Sequence, residues 1–453
     1  MDANDIASAH FSVAVIGAGP AGLFAARELA VQGVGVTLFN RDIKPGGLAE
    51  YGIYPYKYKM KEGLRTQFRQ ILSLYNVQYY GNIVIGRGGD LTLDQLREMG
   101  FDAILVTVGA QGTKWLGLPG EELTGVYHAK DLVYHYNALP PYSGMNFQFG
   151  KRVAVIGVGN VMLDVTHFLL EETSVEEVIA VARRGPAEVK FDKKELESVV
   201  HYLDEAAQQA ELDRVRPEML SLGQNPEVFP ATVKLVKDRS TPAKEVAGRF
   251  HIEFLASPTR ILGGPDGRVD ALEVEETALT LKPNGETSAR GTGRFHNLDV
   301  DTVIFAIGDK VDDNLGLPVS GIEFVKNPAP RFPVDETSFE AFDPQAGQPV
   351  ADVFVAGWAR QASYGLVGVA RRDGTNGARA VLAYLKTLAP RVEFLDGKIK
   401  TRLAQIPRPL VSSSSLIVLE KAEREYAAAN GLEFFKYDNN LDMLKAMGLA
   451  QNA

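Results

Sequence analysis

Short apolar runs, several of them ending directly on glycine, punctuate this chain: Phe11–Ile16, Asp102–Val108, Arg152–Ile156, Asp301–Ile307 and Val350–Ala356. Runs of this length and continuity predict strands buried on both faces, as in a parallel sheet. Behind two of them the apolar spacing changes to helical, over Leu23–Ala30 and Val161–Leu170, and a second strand follows each time, Val34–Phe39 and Val178–Ala182. A strand–turn–helix–strand unit thus occurs twice, about 140 residues apart, a repeat of architecture and not of a solenoid.

The remaining pattern predicts an ordered loop over Ile43–Lys61, a helix over Gly63–Tyr75 and a long charged helix over Asp192–Ala210. Phe250–Leu255 and Val269–Glu275 alternate as an antiparallel pair around the Gly264–Gly267 turn. A further helix is expected at Gly374–Leu385. Two more, Ile417–Gly431 and Asn439–Gly448, form a tail expected to serve packing. Turn-rich segments at Leu118–Glu122 and Ala138–Pro141 mark a bridge between domains.

At 453 residues and 45% hydrophobic, the chain can fill two or three cores. Its 57 acidic against 48 basic residues give a net charge of −9, which excludes a protein built as a whole to coat nucleic acid. It contains no cysteine, so disulfides, thiolate-bound iron–sulfur clusters, cysteine zinc sites and redox dithiols are all excluded; no metal site is expected. Met1–His10 carries Asp2 and Asp5 and no basic stretch, unlike a signal peptide, and no apolar run approaches the roughly 20 residues of a spanning helix. A cytoplasmic location without membrane insertion is the expectation.

The chemistry lies in the glycine turns. Gly17-x-Gly19-x-x-Gly22 closes a strand and opens a helix. The first glycine makes the turn, the second admits a pyrophosphate, and the third lets helix and strand pack closely, with the helix N-terminus facing the phosphates. Gly17, Ala18, Gly19, Pro20 and Ala21 are therefore candidate cofactor-binding residues. The next strand should end in an acid for the adenosine ribose; it ends in Asn40, a neutral partner, with Asp42 at the wrong offset to replace it. The second turn, Gly157-x-Gly159–Asn160–Val161–Met162, carries Met at its third position, where it is expected to crowd the helix–strand contact. Arg183–Arg184 ends the following strand, and two guanidiniums there suit a 2′-phosphate.

These motifs resemble the adrenodoxin reductase-like ferredoxin–NADP reductases over nearly the whole chain. The likeness rests on Pro45–Leu48 with Tyr51–Ile53, on Pro119–Leu123 with Gly125–Val126, and on Tyr136–Asn137 with Leu139–Pro140. It continues through Gly157–Val165, Arg183–Pro186, Phe191, Glu195–Leu196, and Gly357–Trp358 with Gly365–Val367. The flavin-side loop is also similar to that of the glutamate synthase small subunit. The resemblance implies an α/β fold of two Rossmann-like dinucleotide-binding domains of glutathione reductase type. An NADP domain, 115–334, would be inserted in a discontinuous FAD domain, 1–114 and 335–453. It implies that Gly47, Leu48, Ile85, Gly109, Gly357, Trp358, Gly365, Leu366 and Val367 line the FAD. Gly157, Gly159, Asn160, Val161, Arg183, Arg184 and Glu195 would hold NADP(H), and Trp358 and Asp164 would lie at the flavin–nicotinamide junction.

The implied activity is hydride transfer between NADPH and FAD, followed by single-electron transfer to a ferredoxin-type carrier. Lys57, Lys59, Lys61 and Arg65, Lys190, Lys193 and Lys194, and Arg371 and Arg372 are candidate basic patches for an acidic carrier. Three departures stand out: Asn40 for the family's acid, Met162 for its small residue, and Lys57 where adrenodoxin reductases place a histidine. Two other readings remain open at this point: an electron-input subunit of a larger complex, as in glutamate synthase, and a non-catalytic dinucleotide-binding protein.

Overall fold

The computed structural model describes residues 11–241, 247–283, 285–389 and 396–450; the N-terminal decade read above lies outside them. The chain divides into two compact units, one of Met1–Thr113, Tyr134–Gly144 and Gly308–Ala453, the other of Lys114–Val133 and Met145–Ile307. Residues 308–334 cluster with the first unit, where Asp309–Lys310 pairs with Gly112–Thr113.

The first unit is built on a six-stranded sheet. β1 (Ser12–Ile16) leads through the glycine turn into α1 (Pro20–Val31) and on to β2 (Gly35–Phe39); β3 (Val77–Tyr80) and β4 (Ala103–Val106) follow. The order is Glu340–Asp343, Gln348–Val355, β4, β1, β2, β3, parallel throughout except for the outermost Glu340–Asp343. Alternation along β1 divides its side chains between two cores. Val13 and Val15 join Leu23, Leu29 and Val381 on one face, while Ala14 and Ile16 join Leu96, Val311 and Phe324 on the other. Both faces are covered, which is why these strands read as continuous apolar runs.

The second unit repeats the theme with a five-stranded parallel sheet. Its strands are β5 (Val126–His128), β6 (Arg152–Ile156), β7 (Glu177–Val181), β8 (Arg249–Glu253) and β9 (Thr302–Phe305), in the order β5, β9, β6, β7, β8, with α2 (Asn160–Glu172) between β6 and β7. Three antiparallel strands, Ala256–Gly263, Val269–Leu281 and Thr287–Leu298, form a separate sheet.

Three elements differ from the sequence expectation. The strand around Phe250 pairs in parallel with β7, and the partner of Val269–Leu281 across the Gly264–Gly267 turn is Ala256–Gly263. Two strands lie within one short stretch of sequence, so alternation alone selected the wrong one. The long helix over Asp192–Ala210 is broken into Lys193–Leu196, a 3-10 turn at Val200–Tyr202, and Glu205–Ser221. Asp204 starts the last of these by accepting the Ala207 amide at 3.0 Å, a cap hidden within a charged run. Ile43–Lys61 is not all loop: Leu48–Tyr51 is a helical turn, and a helix begins at Tyr58 and runs to Leu72.

Candidate functional site

Two segments of bare backbone converge at the end of β1. Gly17 has φ +100°, and a Cβ there would lie 2.6 Å from the Thr107 carbonyl oxygen. A Cβ on Gly22 would lie 1.9 Å from the Gly17 carbonyl oxygen and 2.6 Å from Thr107 Oγ1, so this position admits glycine alone. The Thr107 hydroxyl is shared between the carbonyls of Ile16 (2.9 Å) and Gly17 (2.8 Å) and braces the turn from β4. α1 opens at Pro20 with Gly19 as its cap and no capping side chain; Ala18 and Ala21 are buried beside it. From the other side, the Gly46 amide donates to the Ala18 carbonyl at 2.7 Å, and a Cβ on Gly47 would reach within 3.1 Å of Gly19 Cα. The result is a cradle of amides at a helix N-terminus without side chains to fill it, which fits a pyrophosphate. Leu48 packs behind it with Tyr51, Tyr134 and Leu139.

The C-terminal segment meets the same turn. Gly357 has φ +66°, and its Cβ would stand 2.6 Å from that of Ala21. Its amide donates to Asp373 Oδ2 at 2.6 Å, and Asp373 is fixed in turn by Arg360 at 2.5 Å. Trp358, half-buried, donates from Nε1 to the Tyr364 carbonyl at 2.8 Å. This bond ties Gly357–Trp358 to Gly365, Leu366 and Val367, where Leu366 caps the helix Val367–Leu385 without a side-chain hydrogen bond. The structure therefore brings together Gly17, Ala18, Gly19, Pro20, Ala21, Gly47 and Gly357, with Trp358, Gly365, Leu366 and Val367 joined to them. Gly109, at φ +75°, lies just past β4. Ile85 bridges to Leu91 and packs on the core layer that Ile16 faces.

Asn40 is 6% exposed and committed to the protein: Oδ1 accepts the Ala18 amide at 3.0 Å, and Nδ2 donates to the carbonyls of Asp42 (2.8 Å) and Lys44 (3.0 Å). Both amide protons are thus used within the protein, and the second lone pair of Oδ1 is what is left to pair with a hydroxyl.

In the second unit Gly157 has φ +119°, and a Cβ there would lie 2.4 Å from the Ala306 carbonyl oxygen. Its amide donates to the Val181 carbonyl at 3.0 Å, as that of Gly17 does to Phe39 at 2.7 Å. Gly159 caps α2 with no side-chain bond, and a Cβ there would meet nothing within 4 Å. The Met162 side chain is fully buried, and the Thr166 hydroxyl lies 3.6 Å from its sulfur. Here the helix opens on a tighter bond, Met162 amide to Gly159 carbonyl at 3.1 Å, where α1 opens with Leu23 amide to Gly19 carbonyl. Asn160 pairs reciprocally with Asp192, its Nδ2 donating to Oδ2 at 3.0 Å and its Oδ1 accepting the Asp192 amide at 2.7 Å. Val161 is exposed; Asp164, one turn along α2, and Glu195, in Lys193–Leu196, are half-buried.

Arg183 is exposed and Arg184 half-buried just past β7. Among the described residues neither is ion-paired, and the buried Nε of Arg184 has no hydrogen-bond partner. A guanidinium nitrogen without a partner beside an open glycine turn fits an anionic ligand.

Sequence reasoning missed Thr107, whose hydroxyl holds carbonyls of the first glycine turn, and Arg360 and Asp373, which fix the Gly357 amide; only the juxtaposition of charge and glycine in Asp373–Gly374 hinted at one of them. It also assigned Lys61 and Arg65 to a surface patch. Lys61 is buried against Asn137 at 2.5 Å, and Arg65 forks onto Glu50 at 2.7 Å through both Nε and Nη2. Lys59, Arg371 and Arg372 remain exposed.

The fold and its paired glycine hinges define a chain with two dinucleotide-binding-type units. Residues 11–206 match the family model described as pyridine nucleotide-disulphide oxidoreductase, although a chain without cysteine has no disulfide to offer. The chain is 28% identical over 389 residues to mitochondrial NADPH:adrenodoxin oxidoreductase of Arabidopsis thaliana, covering 78% of each. It is 26% identical over 470 residues to NADPH-ferredoxin reductase FprA of Mycobacterium leprae (strain TN), covering 96% of this chain and 97% of that protein. The solved structure of Mycobacterium tuberculosis FprA in complex with NADPH has the same fold, with a TM-score of 0.80 at 23% identity over 97% of this chain and 99% of that one. The chain is thus similar over most of its length to proteins named NADPH-ferredoxin reductase and NADPH:adrenodoxin oxidoreductase.

Proposed function

We propose that this protein is an FAD-dependent oxidoreductase that takes hydride from NADPH and passes single electrons to a ferredoxin-type carrier. The observation that carries the reading is the pair of side-chain-free helix N-termini behind left-handed glycines, with unpaired arginines beside the second alone. Similarity to proteins named NADPH-ferredoxin reductase and NADPH:adrenodoxin oxidoreductase supports it. When bound, the two coenzymes supply hydride exchange and its division into single electrons.

The residues supply position and charge. The α1 N-terminus and the Gly46–Gly47 loop hold the FAD pyrophosphate, and Asp373 fixes the Gly357 amide beside it. The uncapped start of Val367–Leu385 presents amides and the positive end of the helix dipole to the flavin ring. In the second unit Gly157–Asn160 receives the NADPH pyrophosphate and Arg183–Arg184 its 2′-phosphate. Trp358, Asp164, Ile85, Gly109 and Glu195 keep the roles that the resemblance implies. The FAD unit is assigned to the two ends of the chain and the NADP unit to its middle. Among the described residues no helix is long and apolar enough to cross a membrane, and the assigned location is the cytoplasm. Lys59, Lys190, Lys193, Lys194, Arg371 and Arg372 are exposed and offer cations to an acidic carrier.

The test is anaerobic mixing of the purified protein with NADPH, then with a ferredoxin. Loss of the flavin absorbance followed by its return on adding carrier is expected. A protein that takes up no FAD, or stays yellow with both NADPH and NADH, would refute the reading.

A further inference from the structure

We propose that Asn40 is a required amide donor that locks the flavin-side loop onto the phosphate turn, and is not a weakened form of a sugar-binding acid. The inference rests on the assignment of FAD to the first unit. The orientation of the amide is fixed by its partners. The Ala18 amide can only donate, so it faces Oδ1; the Asp42 and Lys44 carbonyls can only accept, so they face Nδ2. Tyr79 adds a third anchor, its hydroxyl donating to the Ile43 carbonyl at 2.9 Å. Three successive carbonyls, 42 to 44, thus turn inward to donors at the ends of β2 and β3.

The Ala18 peptide is held at both ends, its amide by Asn40 Oδ1 and its carbonyl by the Gly46 amide at 2.7 Å. Ala18 is the central residue between the two glycines of the phosphate turn, and Gly46 and Gly47 are the loop backbone laid over it. Asn40 closes this ring from inside, so the geometry of the cradle depends on a side chain that both accepts and donates.

A carboxylate of the same shape could accept from Ala18 but would set a negative oxygen against two carbonyl oxygens in a buried position. Asn40→Asp, which restores the residue type expected at the end of β2, should therefore weaken FAD binding and not strengthen it. The experiment titrates apo-protein with FAD by flavin fluorescence, at about pH 5 and about pH 8, for wild type, Asn40→Asp and Asn40→Ala; NADPH binding to each apo-protein serves as the control for the second unit. Loss of two buried hydrogen bonds plus the repulsion predicts about 10- to 100-fold weaker FAD binding for Asn40→Asp at pH 8. At pH 5 a protonated carboxyl can donate to one carbonyl, so part of that loss should be recovered relative to wild type. Asn40→Ala, which cannot titrate, should be equally impaired at both.

Asn40→Asp binding FAD as tightly as wild type at pH 8, or a deficit the same at both pH values, overturns the proposal. Wild-type apo-protein that binds no FAD defeats the underlying assignment instead. If Asn40→Asp does not accumulate as folded protein, Asn40→Ala carries the test, since it removes the amide without adding charge. About 10-fold weaker FAD binding is expected, and unchanged binding overturns the proposal.

Discussion

The ammonium of Lys436 donates to the Glu50 carboxylate at 3.0 Å and lies 4.3 Å from the centre of the Tyr51 ring. Arg65 forks onto the same carboxylate, and a few residues earlier Lys44 pairs with Glu423 at 2.5 Å. The C-terminal tail thus supplies a cation to one residue of the flavin-side loop and an anion to another. All five groups are buried or nearly so, so the outcome of removing one depends on which charge is left alone.

Arg65→Ala leaves Glu50 with a single cation in a buried site. A loss of about 1.5–3 kcal/mol is expected in urea denaturation, the worth of hydrogen bonds to a charged group. Lys436→Met also removes an ion, but one whose own desolvation is severe, and the Arg65 fork remains. A change of less than about 1 kcal/mol is expected. Equal losses in the two variants would contradict this ordering.

The same lysine predicts a pH dependence. Burial brings Lys436 down to about 8 against the opposing pull of Glu50. An unfolded lysine titrates near about 10.4, so between these values the unfolded chain holds a proton that the folded chain has released, and this site makes stability rise with pH. Below about 8 both states carry the proton, and the site adds no slope. The stability of wild type relative to Lys436→Met should therefore increase from about pH 8 to about pH 10. Parallel curves for the two proteins would exclude it. Burial raises the Glu50 carboxyl, but Lys436 and Arg65 outweigh it and hold it far below the ordinary carboxylate range. Its contribution is therefore complete above that range and is lost progressively as pH falls through and below it.

The unpaired Arg183 and Arg184 predict coenzyme choice. Replacing both by Ala should weaken NADPH binding by about 10- to 100-fold, the worth of one or two charge-assisted bonds, while NADH binding changes little. Equal effects on the two coenzymes, in isothermal titration, would remove the 2′-phosphate from this position.

Gly22, third glycine of the first motif, and Gly159, second glycine of the other, should respond oppositely to a single methyl group. Gly22→Ala drives a Cβ to 1.9 Å from the Gly17 carbonyl oxygen and should cost about 4 kcal/mol or more of stability. Gly159→Ala meets nothing within 4 Å, so the melting temperature should stay within about 2 °C of wild type while NADPH binding falls. A large stability loss at Gly159 would mean that its role lies in the fold and not in the ligand.

Both nucleotide-type units were legible because each requires a specific string at a specific place: an apolar strand, glycines where backbone must approach backbone, and a helix opening at once. Gly17, Gly22 and Gly157 sit against carbonyl oxygens, a constraint that no other residue type can meet. Asn40 was legible as a departure but not as a donor, since its partners at Ala18, Asp42 and Lys44 are backbone atoms that leave no trace in side-chain identity. Asp204 was hidden because a cap within a charged run resembles any other acid of that run. Arg65 and Lys61 read as surface cations for want of their partners, Glu50 and Asn137, which only the fold brings near.

The placement of Gln348–Val355 between β4 and Glu340–Asp343 has a consequence for biosynthesis. A growing chain on the ribosome presents β1 to β4 early, yet β4 keeps a bare edge until residue 355 has emerged. By then the whole parallel sheet of the middle segment has been made. Vectorial synthesis therefore completes the intervening sheet first, and the N-terminal strands must wait, exposed to chaperones or to self-association, for the last strand that covers them.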